Sequence, residues 1–141
     1  MNLLALATDN ISELLVKIIE FTQTRQKILT QNINNIHSPG FVPKDMAVEE
    51  FSALLNDAID EYIQNQRLVL CDAENIKFGL NGSFRAKPIM DDYAKELLEE
   101  DPDGYLELQI NKLTENSLNQ RVAAELLRQR QETILTPLYR G

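Results

Sequence analysis

The sequence contains few of the residues on which small enzymes and metal proteins depend. It has one cysteine, Cys71, and one histidine, His37, so it can form neither an internal disulfide nor a Cys/His metal cluster. Tryptophan is absent, and aromatic residues make up 6% of the chain. Five glycines and five prolines are too few for a turn-rich β-sandwich. No apolar run approaches the roughly 20 residues that a membrane-spanning helix needs, so we predict no membrane insertion.

Positive charge is also scarce. The chain has 14 Lys and Arg residues and 22 Asp and Glu residues, which gives a net charge of -8. Nucleic acid is therefore disfavoured as a partner, since phosphate binding needs clustered Lys and Arg. The excess acid lies in the middle of the chain: residues 41–105 carry it all, while residues 1–40 and 106–141 are each close to neutral. The ends are expected to pack as helices and the middle to face solvent.

The N-terminal segment predicts one long helix over residues 9–36, which contain neither Gly nor Pro. Asn10 and Glu13 form a candidate capping box, with Asp9 as the competing cap. One row of positions advances by alternating steps of four and three, the 3.5-residue period of a coiled-coil seam. The row comprises Ile11, Leu15, Ile18, Thr22, Arg25, Leu29, Asn32 and Ile36, with Leu14, Phe21 and Ile28 on its flank.

The C-terminal segment, residues 106–138, repeats this period. Two helices with narrow seams most simply pack on each other, and polar seam residues can fix their register. We predict a mainly α fold, with long N- and C-terminal helices paired as an antiparallel coiled coil and a small acidic α/β middle insert. An ordinary helical bundle is the alternative. The C-terminal row comprises Leu106, Ile110, Leu113, Ser117, Gln120, Ala124, Leu127, Gln131, Ile134 and Leu138.

The middle of the chain predicts three short elements. A helix is expected over residues 46–66 with Asp45 as its cap, and a second helix over residues 91–100. Asn81 and Gly82 stand between two apolar runs and predict a hairpin turn within residues 76–89. The whole chain is expected to be one structural unit with three parts: residues 1–41 as N-terminal helix and exit motif, 42–105 as acidic middle segment and 106–141 as C-terminal helix.

No set of residues in the sequence specifies a catalytic site. His37 lies in a turn where the sequence specifies no Ser, Cys or Asp as its catalytic partner, and Cys71 lies in the apolar stretch LVLCDAE. Adjacent carboxylates such as Glu49 and Glu50 diverge on a helix and do not share a site. We therefore predict that the protein is not an enzyme and uses no metal or other cofactor. A small hydrolase would require a paired nucleophile and base.

Residues 25–41, RQKILTQNINNIHSPGF, resemble the N-terminal motif of the bacterial flagellar axial proteins, whose usual form is close to NNIANVNTPGY. Ser38 replaces the usual Thr, and Asn34 replaces the usual Ala. Residues 113–118, LTENSL, resemble the "LAEN" region near the C-terminus of that family. The short middle segment is most similar to the proximal-rod class, the FlgB-type basal-body rod proteins. The directly matching residues of the first motif are Asn32, Ile33, Asn35, Pro39, Gly40 and Phe41.

The resemblance implies a structural rod subunit that assembles through its terminal helices into a helical tube around the export channel and transmits torque. Its implied partners are further copies of itself, other rod and hook-basal-body proteins, and the flagellar export apparatus. The implied location is the periplasmic span of the basal body, reached from the cytoplasm without a cleaved signal peptide. An acidic helical export chaperone or adaptor that binds a partner helix is the alternative function.

Two groups of residues follow as candidate functional sites. Phe51 and Leu55 form a candidate export-gate element of the Phe-x-x-x-apolar kind, and the face of a core helix explains them equally well. The other group is expected to form assembly contacts. It comprises Ile18, Arg25, Leu29, Asn32, Ile33, Asn35, Ile36, Pro39, Gly40, Phe41, Leu113, Asn116, Leu127 and Ile134.

Overall fold

A computed structural model describes residues 3–79 and 84–139 of the chain, and the side chains of residues 10–79 and 84–132. The described part is mainly helical with a small strand region, as the sequence predicts. In chain order the elements are α1 (Leu3–Asn34), β1 (Lys44–Asp45), α2 (Val48–Asn65), β2 (Ile76–Phe78), β3 (Phe84–Ala86), β4 (Ile89–Met90), α3 (Asp92–Glu100) and α4 (Pro102–Tyr139).

Both long helices begin earlier than the sequence predicts. The capping box at Asn10 and Glu13 is wrong, because both residues lie inside α1; residues 3–9 contain neither Gly nor Pro and continue the helix. Helix α4 begins at Pro102 rather than at residue 106. Proline is well placed in a first turn, where its missing N–H is not needed. Asp101 is the single residue between α3 and α4. Its Oδ1 accepts a hydrogen bond from the Gly104 N–H at 3.1 Å.

The two short helices differ in how they start. Asp91 caps α3, since its Oδ1 accepts from the Ala94 N–H at 3.0 Å. Asp45 does not cap α2, which begins at Val48 with Ala47 in the cap position and no side-chain hydrogen bond. The Asp45 carboxylate is instead engaged by charged groups of α1 and α4. The sequence does not reveal these contacts, because a capping pattern involves only neighbouring residues and the cations Arg25 and Lys112 are distant from Asp45 in the chain.

Two antiparallel pairs of strands hold the middle segment. Strands β2 and β3 pair with Phe78 opposite Phe84, which confirms the predicted hairpin; its turn at Asn81 and Gly82 lies outside the described residues. Strands β1 and β4 also pair, with Lys44 opposite Met90. This second pair was not predicted, and it joins the segment after α1 to the segment before α3.

An aromatic cluster forms the core between α1, α2 and the β2–β3 hairpin. The rings of Phe21 and Phe51 stack with their centroids 4.0 Å apart, and Phe84 meets both rings edge-on. Met46 and Ile76 are buried in the same cluster. Helix α1 therefore buries its flanking row as well as its seam, which is a broader stripe than a coiled-coil seam alone.

Helices α1 and α4 contact each other with opposed order of residues: Thr22 meets Asn116, and Asn32 meets Gln109. The predicted row of α1 is largely buried, including Leu15 and Leu29. The predicted row of α4 is wrong by one residue, since Ile110 is 54% exposed and Ala124 is exposed. The buried residues keep the same spacing one position earlier and are Tyr105, Gln109, Asn116 and Ala123, with Lys112 half-buried between them.

Candidate functional site

Asn32, the central residue of the sequence motif, joins three parts of the chain. Its side chain is 2% exposed. Nδ2 donates to the Lys44 carbonyl at 2.7 Å, and Oδ1 accepts from the Lys44 N–H at 3.1 Å. The amide therefore pairs with β1 in the way a neighbouring strand would. Nδ2 also donates to Gln109 Oε1 of α4 at 3.0 Å, so one side chain fixes α1, the exit segment and α4 together.

Two residues of α4 complete this contact. Tyr105 is fully buried, and its hydroxyl donates to the Asn32 carbonyl at 2.7 Å. This bond satisfies one of the carbonyls that every helix leaves free in its last turn. Burial, followed by the negative charge of Asp91, raises the pKa of Tyr105 to about 12, so the hydroxyl stays a donor. Gln109 Nε2 is buried and has no partner among the described residues.

A row of alternating charges lies beside Asn32. Arg25 binds Asp45 through two hydrogen bonds, Nε to Oδ1 at 2.9 Å and Nη2 to Oδ2 at 3.0 Å. Lys112 Nζ bridges Asp45 Oδ2 at 3.0 Å and Asp91 Oδ2 at 2.7 Å. Two cations and two carboxylates thus neutralise each other. We call Arg25, Asn32, Asp45, Asp91, Tyr105, Gln109 and Lys112 the polar junction.

This charge arrangement perturbs two of its members. Burial disfavours the charged form of Asp45, but the hydrogen bonds and positive charges of Arg25 and Lys112 outweigh it and lower the pKa of that carboxyl. Burial likewise disfavours the charge on Lys112, and the carboxylates of Asp91 and Asp45 outweigh it and raise its pKa. Both shifts favour the charged forms of Asp45 and Lys112, and the ion pairs of the junction hold α1, β1, the start of α3 and α4 in one arrangement.

The exit motif turns sharply after α1. The Ser38 N–H donates to the Asn35 carbonyl at 2.9 Å, and the Phe41 N–H donates to the Ser38 carbonyl at 3.2 Å. Gly40 has a φ of 72°, in the left-handed region that glycine adopts without steric cost. Phe41 is half-buried and lines a hollow of about 490 Å³ together with Ile28 of α1.

Replacing Gly40 by alanine should lower the free energy of unfolding by about 1 kcal/mol, because a Cβ disfavours a positive φ. Nothing lies within 4 Å of the position that this Cβ would occupy, so the loss would come from the backbone alone. Chemical denaturation of both proteins measures it. Ser38→Ala is the control, since Ser38 is exposed in the same turn and does not have a positive φ. Equal losses for both variants would contradict the prediction.

The side chains of the remaining candidate residues differ in how far they are buried. Phe51 is a buried core residue and Leu55 is half-buried beside it. Leu29 and Asn116 are buried, Pro39 is exposed, and the side chain of Ile134 lies outside the described residues. The half-buried assembly residues are Ile18, Ile33, Asn35, Ile36, Leu113 and Leu127.

Sequence reasoning missed four residues of the polar junction: Asp91, Tyr105, Gln109 and Lys112. The last three share the 3.5-residue spacing with Asn116, so the period was detectable. A search for apolar residues does not select them, because their side chains are polar and a row of apolar residues with the same spacing runs one position later along the same helix. His37 and Cys71 are exposed, and no group of His, Cys, Asp or Glu among the described residues could hold a metal ion.

Comparison of the chain with protein-family models, with curated proteins and with solved structures finds no match. Within residues 3–79 and 84–139, none of the helices combines the length and apolarity that crossing a membrane requires.

Proposed function

We propose that this chain is a structural subunit of the bacterial flagellar basal-body rod, of the FlgB type. One observation carries the proposal. The two segments that resemble the flagellar axial proteins stand far apart in the sequence and both contribute to the α1–α4 contact: Asn32 bonds Gln109, and Asn116 Nδ2 donates to the Thr22 carbonyl at 2.7 Å. A motif that only ended a helix would not need buried amides at both places.

In this proposal α1 and α4 pair as an antiparallel coiled coil and form the assembling part of the molecule. The opposed order of their contacts and the 3.5-residue spacing of both buried rows support this arrangement. Subunits related by repeated, non-closing contacts extend into a filament or tube, which would surround the export channel and transmit torque. The polar junction keeps the acidic middle segment in a fixed position relative to both helices.

The same proposal gives the partners and the location. The subunit would contact copies of itself, other rod and hook-basal-body proteins, and the export apparatus that delivers it. It would act in the periplasmic span of the basal body after export without a cleaved signal. Deletion of the gene in the source bacterium, followed by electron microscopy of isolated basal bodies, tests this directly. The proposal requires that the rod be missing or truncated and that the cells lose motility.

Replacing Leu127 by proline should abolish motility and rod assembly. Leu127 is half-buried in α4, and a proline there removes a main-chain hydrogen bond and clashes with the preceding turn, which costs about 3 kcal/mol or more. Complementation of the deletion strain and swimming in soft agar measure the effect. Leu127→Met is the matched control and should restore motility, because it keeps an apolar side chain and the helix bond. Normal swimming by the proline variant would contradict the coiled-coil proposal.

The alternative function, an acidic export chaperone or adaptor, is favoured by a different observation. A partner-binding surface is rich in exposed apolar groups. Over its described side chains, helix α4 exposes about half or more of each of four large apolar side chains: Ile110, Leu118, Val122 and Leu126. A chaperone stays in the cytoplasm, whereas a rod subunit is recovered with the basal body. Immunodetection of the tagged chain in isolated basal bodies separates the two functions.

A further inference from the structure

The outer face of the β2–β3 hairpin carries a patch of positive charge on a protein whose net charge is -8. Side chains alternate between the two faces of a strand, and Ile76 is buried in the aromatic cluster. Lys77 and Arg85 therefore point the other way, and they lie directly opposite each other in the strand pair. Lys87 keeps to the same face, because its N–H continues the ladder by donating to the Asn75 carbonyl at 2.8 Å. We call Lys77, Arg85 and Lys87 the basic face.

The three cations of the basic face have no counter-charge of their own. All three are exposed, and none of them forms an ion pair within residues 10–79 and 84–132. Two cations directly opposite each other destabilise a strand pair. Residues 73–105 contain four Lys and Arg residues, and three of the four stand on this one face. Charged residues protect strand edges from pairing with other chains, but that role does not require three cations on one face. Their clustering therefore points to a partner of opposite charge.

Helix α3 presents that opposite charge in a row. Asp92, Glu96 and Glu99 follow one another at steps of four and three residues, which places them on one side of the helix. Ala94 lies on the opposite side and is buried, so the three carboxylates face solvent, and all three are exposed. Lys95, the one cation of α3, lies beside them. We call Asp92, Glu96 and Glu99 the acidic row.

The basic face and the acidic row have similar dimensions. Residues directly opposite each other in a strand pair, such as Lys77 and Arg85, have Cα atoms about 5.5 Å apart. Two residues further along the strand, Lys87 follows at about 7 Å. From Asp92 to Glu99 the helix rises by about 10 Å. Three cations can therefore meet three carboxylates when such a helix lies across the hairpin.

Helix α2 is a poorer complement to the basic face, although it carries five carboxylates. Glu50 already accepts a hydrogen bond from Asn75, and Glu61 is paired with Arg67. We propose that the basic face of one copy of this chain binds the acidic row of a second copy. Because the two surfaces differ, the contact is heterologous and leaves each copy with one surface free. Repeated contacts of this kind build a ring or an open filament.

The net charge of -8 makes two copies repel each other at long range. At physiological ionic strength this repulsion is screened beyond about 8 Å, so the local pairing of opposite charges decides where copies meet. The contact would give a rod subunit a second means of self-association, away from its terminal helices. It does not depend on rod assembly, since both surfaces are present in the isolated chain.

Charge reversal in the full chain tests the contact. The hairpin variant carries Lys77→Glu and Arg85→Glu, and the helix variant carries Glu96→Lys and Glu99→Lys. Each variant alone brings like charges together and should associate at least about tenfold more weakly than the wild type. A mixture of the two variants restores opposite charges at both kinds of contact, so it should return association to about the wild-type level. Sedimentation velocity over a range of protein concentrations measures all four samples.

The matched control carries Lys27→Glu and Arg121→Glu. Both residues are exposed, on α1 and α4, and their reversal changes the net charge by as much as the hairpin variant does. The control should associate like the wild type, because its basic face and acidic row are intact. Circular dichroism before each measurement establishes that every variant is folded.

Three outcomes would overturn the proposal: a wild-type chain that stays monomeric up to about 1 mM, a mixture that associates no better than either variant, or a control weakened as much as the hairpin variant. Wild-type association that both charge reversals leave unchanged would also overturn it and assign self-contact to another surface. The test is separate from that of the rod function. Association through these two surfaces by a chain that is absent from basal bodies would keep the contact and remove the rod function, and the reverse result would do the opposite.

Discussion

Replacing Asn32 by leucine should lower the free energy of unfolding by about 4 kcal/mol. Leucine has a similar volume and no polar atoms, so three groups lose their partner at once: the N–H and carbonyl of Lys44 and the side-chain oxygen of Gln109. Each buried polar group left unpaired costs about 1 to 3 kcal/mol. Urea-induced unfolding of the full chain, followed by circular dichroism, measures the difference.

Asn34 provides the control for this prediction. It lies two residues later in the last turn of α1 and is exposed, so Asn34→Leu should change the unfolding free energy by no more than about 0.5 kcal/mol. Under the rod proposal, Asn32→Leu should also abolish motility, because the exit segment would lose its fixed position. A loss of less than about 1 kcal/mol would mean that solvent replaces the amide, and Asn32 would then not hold the junction together.

Periodicity predicted the elements of this fold better than their contacts. The steps of four and three identified Leu15, Thr22 and Leu29 as one buried row, and the hairpin followed from Asn81 and Gly82. These features depend on local residue spacing and turn chemistry, which the sequence states directly. The mainly helical class could therefore be predicted without knowledge of any tertiary contact.

The orientation of α4 could not be predicted in the same way. Its apolar row includes Leu106, Ile110 and Leu113, and a rule based on hydrophobicity places that row against α1. The structure instead buries Tyr105, Gln109 and Asn116, because their polar atoms meet polar atoms of α1. A polar interface of this kind is defined by the geometry of both partners, and neither segment specifies it alone.

The acidic middle segment is also more than a solvated surface. Asp45 and Asp91 belong to it, and they neutralise Arg25 of α1 and Lys112 of α4. Part of the excess acid of residues 41–105 therefore serves to attach this segment to the two long helices. Summed charge along the sequence cannot distinguish these two carboxylates from the exposed ones, such as Glu49 and Asp57.

Replacing Asp45 by alanine should lower the free energy of unfolding by about 3 to 5 kcal/mol, since it leaves buried Arg25 without a counter-charge. The side chains of Arg25 and Asp45 are 8% and 11% exposed, so water cannot fully take over the lost contacts. The double variant Arg25→Leu, Asp45→Ala should recover part of the loss, because it removes the unpaired cation as well. Chemical denaturation measures all three proteins. A double variant less stable than Asp45→Ala would contradict this account.

The pH dependence of stability supplies a second test of the same contacts. Burial opposes the charge on Asp45, but Arg25 and Lys112 outweigh it and lower its pKa below the ordinary value of 3.8. The resulting stability is fully present above 3.8 and is lost as the pH falls through the lowered pKa. Lys112 has a pKa raised above 10.5, where burial is outweighed by Asp91 and Asp45, so its contribution is fully present below 10.5 and is lost as the pH rises through the raised pKa.

The wild-type protein should therefore lose stability more steeply on acidification below 3.8 than Asp45→Asn, which has no carboxylate to protonate at this position. Unfolding free energies measured over the acid range give both curves. Asp57→Asn controls for the general effect of removing one negative charge, because Asp57 is exposed, and its curve should keep the wild-type slope. If the unfolding free energies of wild type and Asp45→Asn fell with the same slope on acidification, the contacts of Asp45 with Arg25 and Lys112 would add no stability to the protein. The middle segment would then be held by the amide of Asn32 and the paired strands, without help from charge.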